Sequence, residues 1–438
     1  MPELFSLFLL GAPLAQTADA SPLESLDALY PALELLYLDL HQHPELSFQE
    51  ERTAARMAAS LRGAGFTVTE GVGGHGVVGV LENGTGPTVL VRTDLDALPI
   101  REQTGLPYAS GVTATSEAGE TVPVMHACGH DVHMTAWVGA ATLLAADRER
   151  WRGTLVFVGQ PAEERGQGAQ RMVDDGLLTR FPPPDFVLGL HVASTLPAGQ
   201  VGVTAGPASA ASTAVDITFH GRGGHGAMPH QTVDPVVMAA RAVVAFQTIV
   251  AREVDPFEPA VITVGTFHAG TKRNIIPDEA RLELTVRSYS SAVQAHLLAA
   301  IDRIARAEAM AANAPRDPDV VVHAEEATEV VINDPALAAR LMAALQRTLG
   351  EACVVASEPV STSEDFGVYG RLAGVPGVQL RVGAIEPAAF ARAQAAGESP
   401  PGPHSPLFAP DRERTIRTGV AALVLSARDL LCAAPGER

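Results

Sequence analysis

Apolar residues recur at helical spacing over residues 21–40, where Leu23, Leu26, Leu29, Leu33 and Leu36 fall on one stripe. A second helix is predicted over 50–64, closed by Gly63 and Gly65. The pattern then changes to short, nearly continuous apolar runs bounded by turns: VVGVLE at 77–82, TVLVRTDLDAL at 88–98, TLVFVGQ at 154–160 and FVLGLHV at 186–192. Helical stretches at 131–147 and 168–178 separate some of them. Strands buried on both faces read this way, so the pattern predicts an α/β domain with a mostly parallel sheet.

The pattern changes after GPASAAS at 206–212. A strand (AVDITFHG) leads to a helix at 234–252, then to strands VITVGTFH and ARLELTVRS. A helix near 292–312 and a strand, VVVHAEEATEVV, complete the order βαββαβ, which is ferredoxin-like. Helices and short strands of the first kind return from about 330. The expected organisation is therefore residues 21–207 and 329–438 as two parts of one domain, with 208–328 inserted between them. The stretch 385–404, rich in Ala, Pro and Gly, reads as a long loop. No internal repeat or low-complexity tract interrupts the chain.

Length agrees with two domains, since 438 residues exceed the ~250–300 at which one core usually stops growing. The net charge is -19, and Lys272 is the sole lysine. No basic stripe exists to neutralise phosphates, which argues against a nucleic-acid partner. No 18-residue apolar run appears, so no membrane span is expected. The three cysteines, Cys128, Cys353 and Cys432, form no CxxC pair and no disulfide framework, though one Cys353–Cys432 bridge stays open. Residues 1–20 read as a signal peptide or a flexible extension: LFSLFLLGAPLA is apolar and Ala18-Asp19-Ala20 resembles a cleavage site, but the opening MPE carries no Lys or Arg. A signal would imply a periplasmic or secreted protein, its absence a cytoplasmic one.

The chemistry concentrates at strand ends, where open α/β sheets collect their ligands. Asp94 and Asp96 follow the TVLVR run, Glu163 and Glu164 follow TLVFVGQ, and His191 closes FVLGLH. Cys128 and His130 lie just before a helix, and His404 follows the long loop. Singly, each has a plain structural reading as a turn, cap or solvated residue. Together they offer thiolate, imidazole and carboxylate at one sheet edge, a donor set suited to zinc, cobalt or manganese. Two adjacent acids can divide labour, one binding metal and the other moving a proton. Cys128 has two other readings, as a nucleophile with histidine helpers or as a buried thiol. The nucleophile reading leaves Glu163, Glu164, His191 and His404 without a task.

The motifs RTDLDALPI, MHACGHDVHMT, QPAEE, GLHV, GRGGHGAMPH, NIIP, SEDF and HSPLF occur in that order. In this they resemble the M20 metallopeptidase family, and within it the amidohydrolase branch of hippurate hydrolases, N-acyl-amino-acid amidohydrolases and plant auxin-conjugate hydrolases. The resemblance spans about 25–435. It implies a catalytic domain with an inserted lid or dimerisation domain. It implies two divalent metal ions per subunit (Zn, Mn or Co), with Cys128 bridging them and His130, Glu164, His191 and His404 completing the set. Glu163 matches the catalytic base, and Asp96 the acid that orients a ligand. Asp94 stands where peptidase relatives have a metal-binding histidine. In the inserted domain, His225 resembles a lid histidine that reaches the neighbouring subunit's substrate, Asn274 a substrate-binding asparagine, and Arg287 a candidate for holding a carboxylate. His41 and His43, in HQHPE, are expected to be mainly structural. The implied activity is cleavage of N-acyl amino acids, hippurate-like or N-acetyl, by a homodimer joined through the inserted domain. A dipeptidase or carboxypeptidase on the same scaffold is the alternative.

Overall fold

The computed structural model describes residues 23–432. The stretch read as a signal or extension, 1–20, lies outside the described residues. The chain divides into two compact units. The first comprises residues up to Gly206, Asn333–Ser357 and the chain from Val368 onward; the second comprises Pro207–Ile332 and Glu358–Gly367.

The first unit opens with α1 (Glu24–Gln42) and α2 (Glu51–Gly63). The strands β1 (Thr67–Val72), β2 (Gly76–Asn83) and β3 (Thr88–Asp94) follow, then α3 (His130–Ala146), β4 (Gly153–Gln160), β5 (Phe186–Pro197) and β6 (Val201–Val203). β3, β4 and β5 are buried along almost their whole length, as their unbroken apolar runs require.

The second unit contains β7 (Ala211–His220), α4 (Pro235–Arg252), β8 (Ala260–Ala269), β9 (Glu279–Ser288), α5 (Ser291–Ala311) and β10 (Asp319–Thr328). This is the βαββαβ order read from the sequence. The sheet is antiparallel, in the order β8-β9-β7-β10. Alternate residues of β9, Ala280, Leu282, Leu284 and Val286, are buried, and the helices cover that face. By length and composition α4 is apolar enough to cross a membrane. Its Met238, Ala239, Ala242, Phe246 and Ile249 are instead buried in this core. The segment 358–367, expected to belong with the first domain, groups with the second unit. Val360 exchanges backbone hydrogen bonds with Ala208 and Ala210, and Arg287 Nη1 donates to the Ser361 carbonyl at 2.9 Å.

The first unit resumes with α6 (Pro335–Leu349), β11 (Val354–Ala356), β12 (Gly377–Ile385), α7 (Pro387–Ala396) and α8 (Arg412–Leu431). Its eight-stranded sheet runs β1-β2-β4-β3-β5-β12-β6-β11. The central strands β4, β3, β5 and β12 are mutually parallel, and the antiparallel pairs lie toward the two sides. α7 takes up the first part of the loop expected over 385–404, and residues 398–404 remain loop. Glu386 caps α7 by accepting from the Ala388 and Ala389 amides, Pro387 sits in its first turn, and Gly397 ends it at φ 68°. No disulfide joins the cysteines among the described residues, so Cys353 and Cys432 do not pair.

Candidate metal centre

Two strand ends, the middle of a third strand and two loops of the first unit supply the site. β3 stops at Asp94, and its ladder with β5 runs only as far as Arg92 opposite Gly189. β5 continues to Pro197, so His191 lies within the strand rather than at its end. Past β3, His191 is freed on that side to face the loop before α3. That loop turns at Gly129, whose φ is 81°. A Cβ there would also stand 2.8 Å from Val192 Cγ2, so glycine is needed for both backbone and space. The turn delivers Cys128 to the sheet edge and starts α3 at His130.

His130 and His191 are each oriented by their other nitrogen. His130 Nδ1 donates to the Asp96 carbonyl at 2.8 Å, which leaves Nε2 buried and without a hydrogen-bond partner. His191 Nδ1 donates to the Val192 carbonyl at 2.8 Å, and its Nε2 lies 3.5 Å from Cys128 Sγ. His404 adopts φ 68° and its amide donates to the Ala127 carbonyl at 2.8 Å, tying its loop to the cysteine loop. Its Nε2 lies 3.3 Å from Glu164 Oε2.

The two glutamates are set by a strained turn. Ala162 adopts φ 51°, and its amide donates to the buried Glu50 Oε1 at 2.8 Å. Asp96 Oδ2 accepts from the Glu164 amide at 3.0 Å and from Ser47 Oγ at 2.6 Å. Asp96 thus links β3's end, the glutamate turn and, through its carbonyl, His130.

Among the described residues five trios have their ligand atoms within 4.8 Å of one another, and two of them share Cys128: Cys128–His130–His191 and Cys128–Glu164–His404. Cys128 belongs to both. The donors fit a pair of divalent cations. The buried His130 Nε2 and Glu164 Oε1 have no hydrogen-bond partner, and both His130 and His191 are held in the tautomer that leaves Nε2 as the donor atom. The surrounding carboxylates make the pocket attractive to cations: burial pulls the His130 imidazole down, but Asp94 and Asp96 outweigh it and raise it to about 10, so a metal ion arriving at Nε2 has to displace a proton there. Burial, helped by His133, pushes His191 well below its usual value and keeps it neutral. Burial pushes Glu50 up, with the Asp96 charge adding to it, to about 8.

Every residue expected in the catalytic domain's site is therefore brought together: Cys128, His130, Glu163, Glu164, His191, His404 and Asp96. His225, Asn274 and Arg287 belong to the second unit. There His225 pairs with Ile275, and the Gly226 amide donates to the Asn274 carbonyl at 2.9 Å. The Ala227 amide donates to His225 Nδ1 at 3.1 Å, so the neutral ring carries its proton on the exposed Nε2 side. Sequence reasoning passed over Ser47, Glu50 and His133. His133 had a visible signal, three residues beyond His130 on one helix.

The structural expectation for HQHPE separates its two histidines. His43 is exposed and donates to the Asp39 carbonyl. His41 is buried, 2.7 Å from Asp131 and 3.2 Å from Glu102. Burial lowers its basicity, but the two carboxylates outweigh this and raise it to about 9. A raised folded-state value stabilises below the unfolded value of ~6.5 and is lost as pH rises through about 9. Wild type is expected to lose roughly 2–3 kcal/mol more than His41→Gln between about pH 6.5 and 9.5. Urea midpoints at the two pH values check this; parallel losses in both proteins would refute it.

Residues 90–400 match the family described as peptidase family M20/M25/M40. The chain is 36% identical over 345 residues to an N-acetyl-L-cysteine deacetylase of Bacillus subtilis, covering 77% of each. It is 36% identical over 348 residues to thermostable carboxypeptidase 2 of Saccharolobus solfataricus, covering 78% of this chain and 84% of that one. Its fold is similar, with a TM-score of 0.73 and 28% identity, to the crystal structure of a Bacillus subtilis dinuclear metal binding peptidase of the M20 family, across 92% of this chain and 99% of that one. The order of motifs along the chain, the sheet-edge ligand set and these likenesses agree, and the chain belongs to peptidase family M20/M25/M40.

Proposed function

We propose that this protein is a metal-dependent amidohydrolase that cleaves N-acyl amino acids to a carboxylic acid and a free amino acid. The observation that carries the reading is the pair of ligand trios sharing Cys128, with Glu163 beside them at 3.6 Å from His130 Nε2. Cys128 would bridge two divalent ions, zinc, manganese or cobalt, with His130 and His191 on one and Glu164 and His404 on the other. When bound, such ions polarise an amide carbonyl and make water nucleophilic near neutral pH.

Glu163 accepts the proton of the attacking water and returns it to the leaving nitrogen, as general base and then general acid. Asp96 positions both the glutamate turn and His130. His225 offers an Nε2–H to the oxyanion of the tetrahedral intermediate. Asn274 and Arg287 are assigned to the substrate, Arg287 to its carboxylate. The protein acts as a homodimer joined through the inserted unit, with His225 serving the partner's centre. The carboxypeptidase relative supports a second reading, cleavage of a C-terminal peptide bond on the same scaffold.

The test is a panel of N-acetyl, N-benzoyl and longer N-acyl amino acids, beside dipeptides and blocked peptides. It is run on chelated enzyme with Zn, Mn and Co restored separately. Chelation is expected to abolish turnover and one or more metals to restore it, with N-acyl amino acids the best substrates. Preference for peptides would select the second reading. Full activity in metal-free protein, with rapid inactivation by a thiol alkylator, would select Cys128 as a nucleophile and overturn both.

A further inference from the structure

Behind the ligands runs a buried row of polar groups with no assigned task. Arg92 and Asp94 stand two residues apart on β3, both buried. Arg92 Nη1 donates to Asp94 Oδ2 at 2.7 Å, and its Nε donates to Gln160 Oε1 at 2.9 Å. The Tyr369 hydroxyl donates to the same Gln160 oxygen at 2.9 Å. The other Asp94 oxygen lies 2.8 Å from His133 Nδ1. On the far side of that ring, His133 Nε2 is 2.9 Å from the Val192 amide.

The direction of each bond follows from its ends. A backbone N–H can only donate, so His133 Nε2 accepts and Nδ1 carries the proton. That proton points at Asp94, whose other oxygen is taken by Arg92. The row therefore ends on Val192, and the Val192 carbonyl is the group that accepts His191 Nδ1–H.

We infer that Arg92, Asp94 and His133 are positioning residues that anchor Val192 and so hold His191 in the tautomer whose Nε2 faces Cys128, with Asp94 acting as their internal acceptor and not as a metal ligand. The alternative has a geometric basis. Asp94, His130 and His133 also bring donor atoms within 4.8 Å of one another. Against it, both Asp94 oxygens and both His133 nitrogens are already engaged within the row. Partners that orient a ligating histidine typically tune metal affinity 10–100-fold.

The inference rests on the proposed metal reading, and its test separates the two. Wild type, Asp94→Asn, His133→Leu and His133→Gln are compared. Ring-nitrogen NMR shifts of the metal-free proteins report histidine tautomers, and cobalt(II) titration against a chromophoric chelator reports affinity, stoichiometry and ligand-field spectrum. In wild type, His133 and His191 are expected to be protonated on Nδ1. In Asp94→Asn the amide presents N–H groups to Arg92 or His133, both already donors. It and His133→Leu are expected to bind cobalt about 10–100-fold more weakly with a shifted spectrum and unchanged stoichiometry. His133→Gln, whose amide can donate to Asp94 and accept from Val192, should recover most of the affinity. Should the leucine variant fail to fold, Asp94→Asn and His133→Gln carry the comparison.

Wild-type affinity and spectrum in folded Asp94→Asn and His133→Leu would overturn the inference. So would loss of one whole metal equivalent in Asp94→Asn alone, which would make Asp94 a ligand. A wild-type protein that takes up no cobalt would sink the metal reading. The ring shifts would still decide the tautomers, and protonation of His191 on Nε2 would overturn the positioning role directly.

Discussion

Glu163→Gln is expected to take up metal as wild type does and to lose about 10²–10⁴-fold in kcat, the usual range for removing a general acid or base. Gln keeps the size of the side chain and one oxygen but cannot accept the proton. Glu164→Gln is expected to behave differently. Glu164 belongs with Cys128 and His404 in one of the two trios that share Cys128, whereas Glu163 belongs to neither. Loss of its carboxylate charge should remove metal and activity together. Metal content by elemental analysis, beside kcat for both proteins, checks the pair. Retained metal in Glu164→Gln with lost metal in Glu163→Gln would exchange the two roles.

Mixing two inactive variants is expected to restore activity. Glu163→Gln damages the centre of the first unit, while His225→Ala removes a donor carried by the second unit. If His225 serves the neighbouring subunit, one site of a mixed dimer carries both defects and the other carries none. Turnover should then return to up to about half the wild-type value per mixed dimer. The His225 geometry suits this use: its Nδ1 accepts the Ala227 amide, which directs the Nε2 proton outward. An oxyanion donor acts only within about 2.7–3.1 Å of the developing charge. Differently tagged chains can show that subunits have exchanged. Proven exchange without recovered turnover would confine His225 to its own chain or remove it from catalysis.

The large sheet was legible because its central strands are buried on both faces, so VLVR and LVFVG write their burial locally. The inserted unit was legible for the opposite reason, since β9 alternates buried and exposed positions. The site was legible because Asp94, Asp96, Glu163, Glu164 and His191 stand at the ends of apolar runs, where ionisable groups are costly to bury without a task. The missing parts depend on partners distant in sequence. Nothing near Glu50 announces that it holds the Ala162 amide, 112 residues away. Nothing near Ser361 announces that its carbonyl receives Arg287. The α7 helix was a different kind of miss. Its caps, Glu386 with Pro387 and then Gly397, were all present, but Pro and Gly were read as loop composition rather than as the punctuation of an Ala-rich helix.

The discontinuity of the first unit gives the two trios different histories. A ribosome delivers Cys128, His130, Glu164 and His191 before it makes the inserted unit, and His404 only after it. The trio of Cys128, His130 and His191 is complete in a half-made chain. The other closes last, when the His404 amide reaches the Ala127 carbonyl and the chain goes on to lay down α8. A polypeptide cut short between residues 191 and 404 thus carries every residue of the first trio and lacks one of the second.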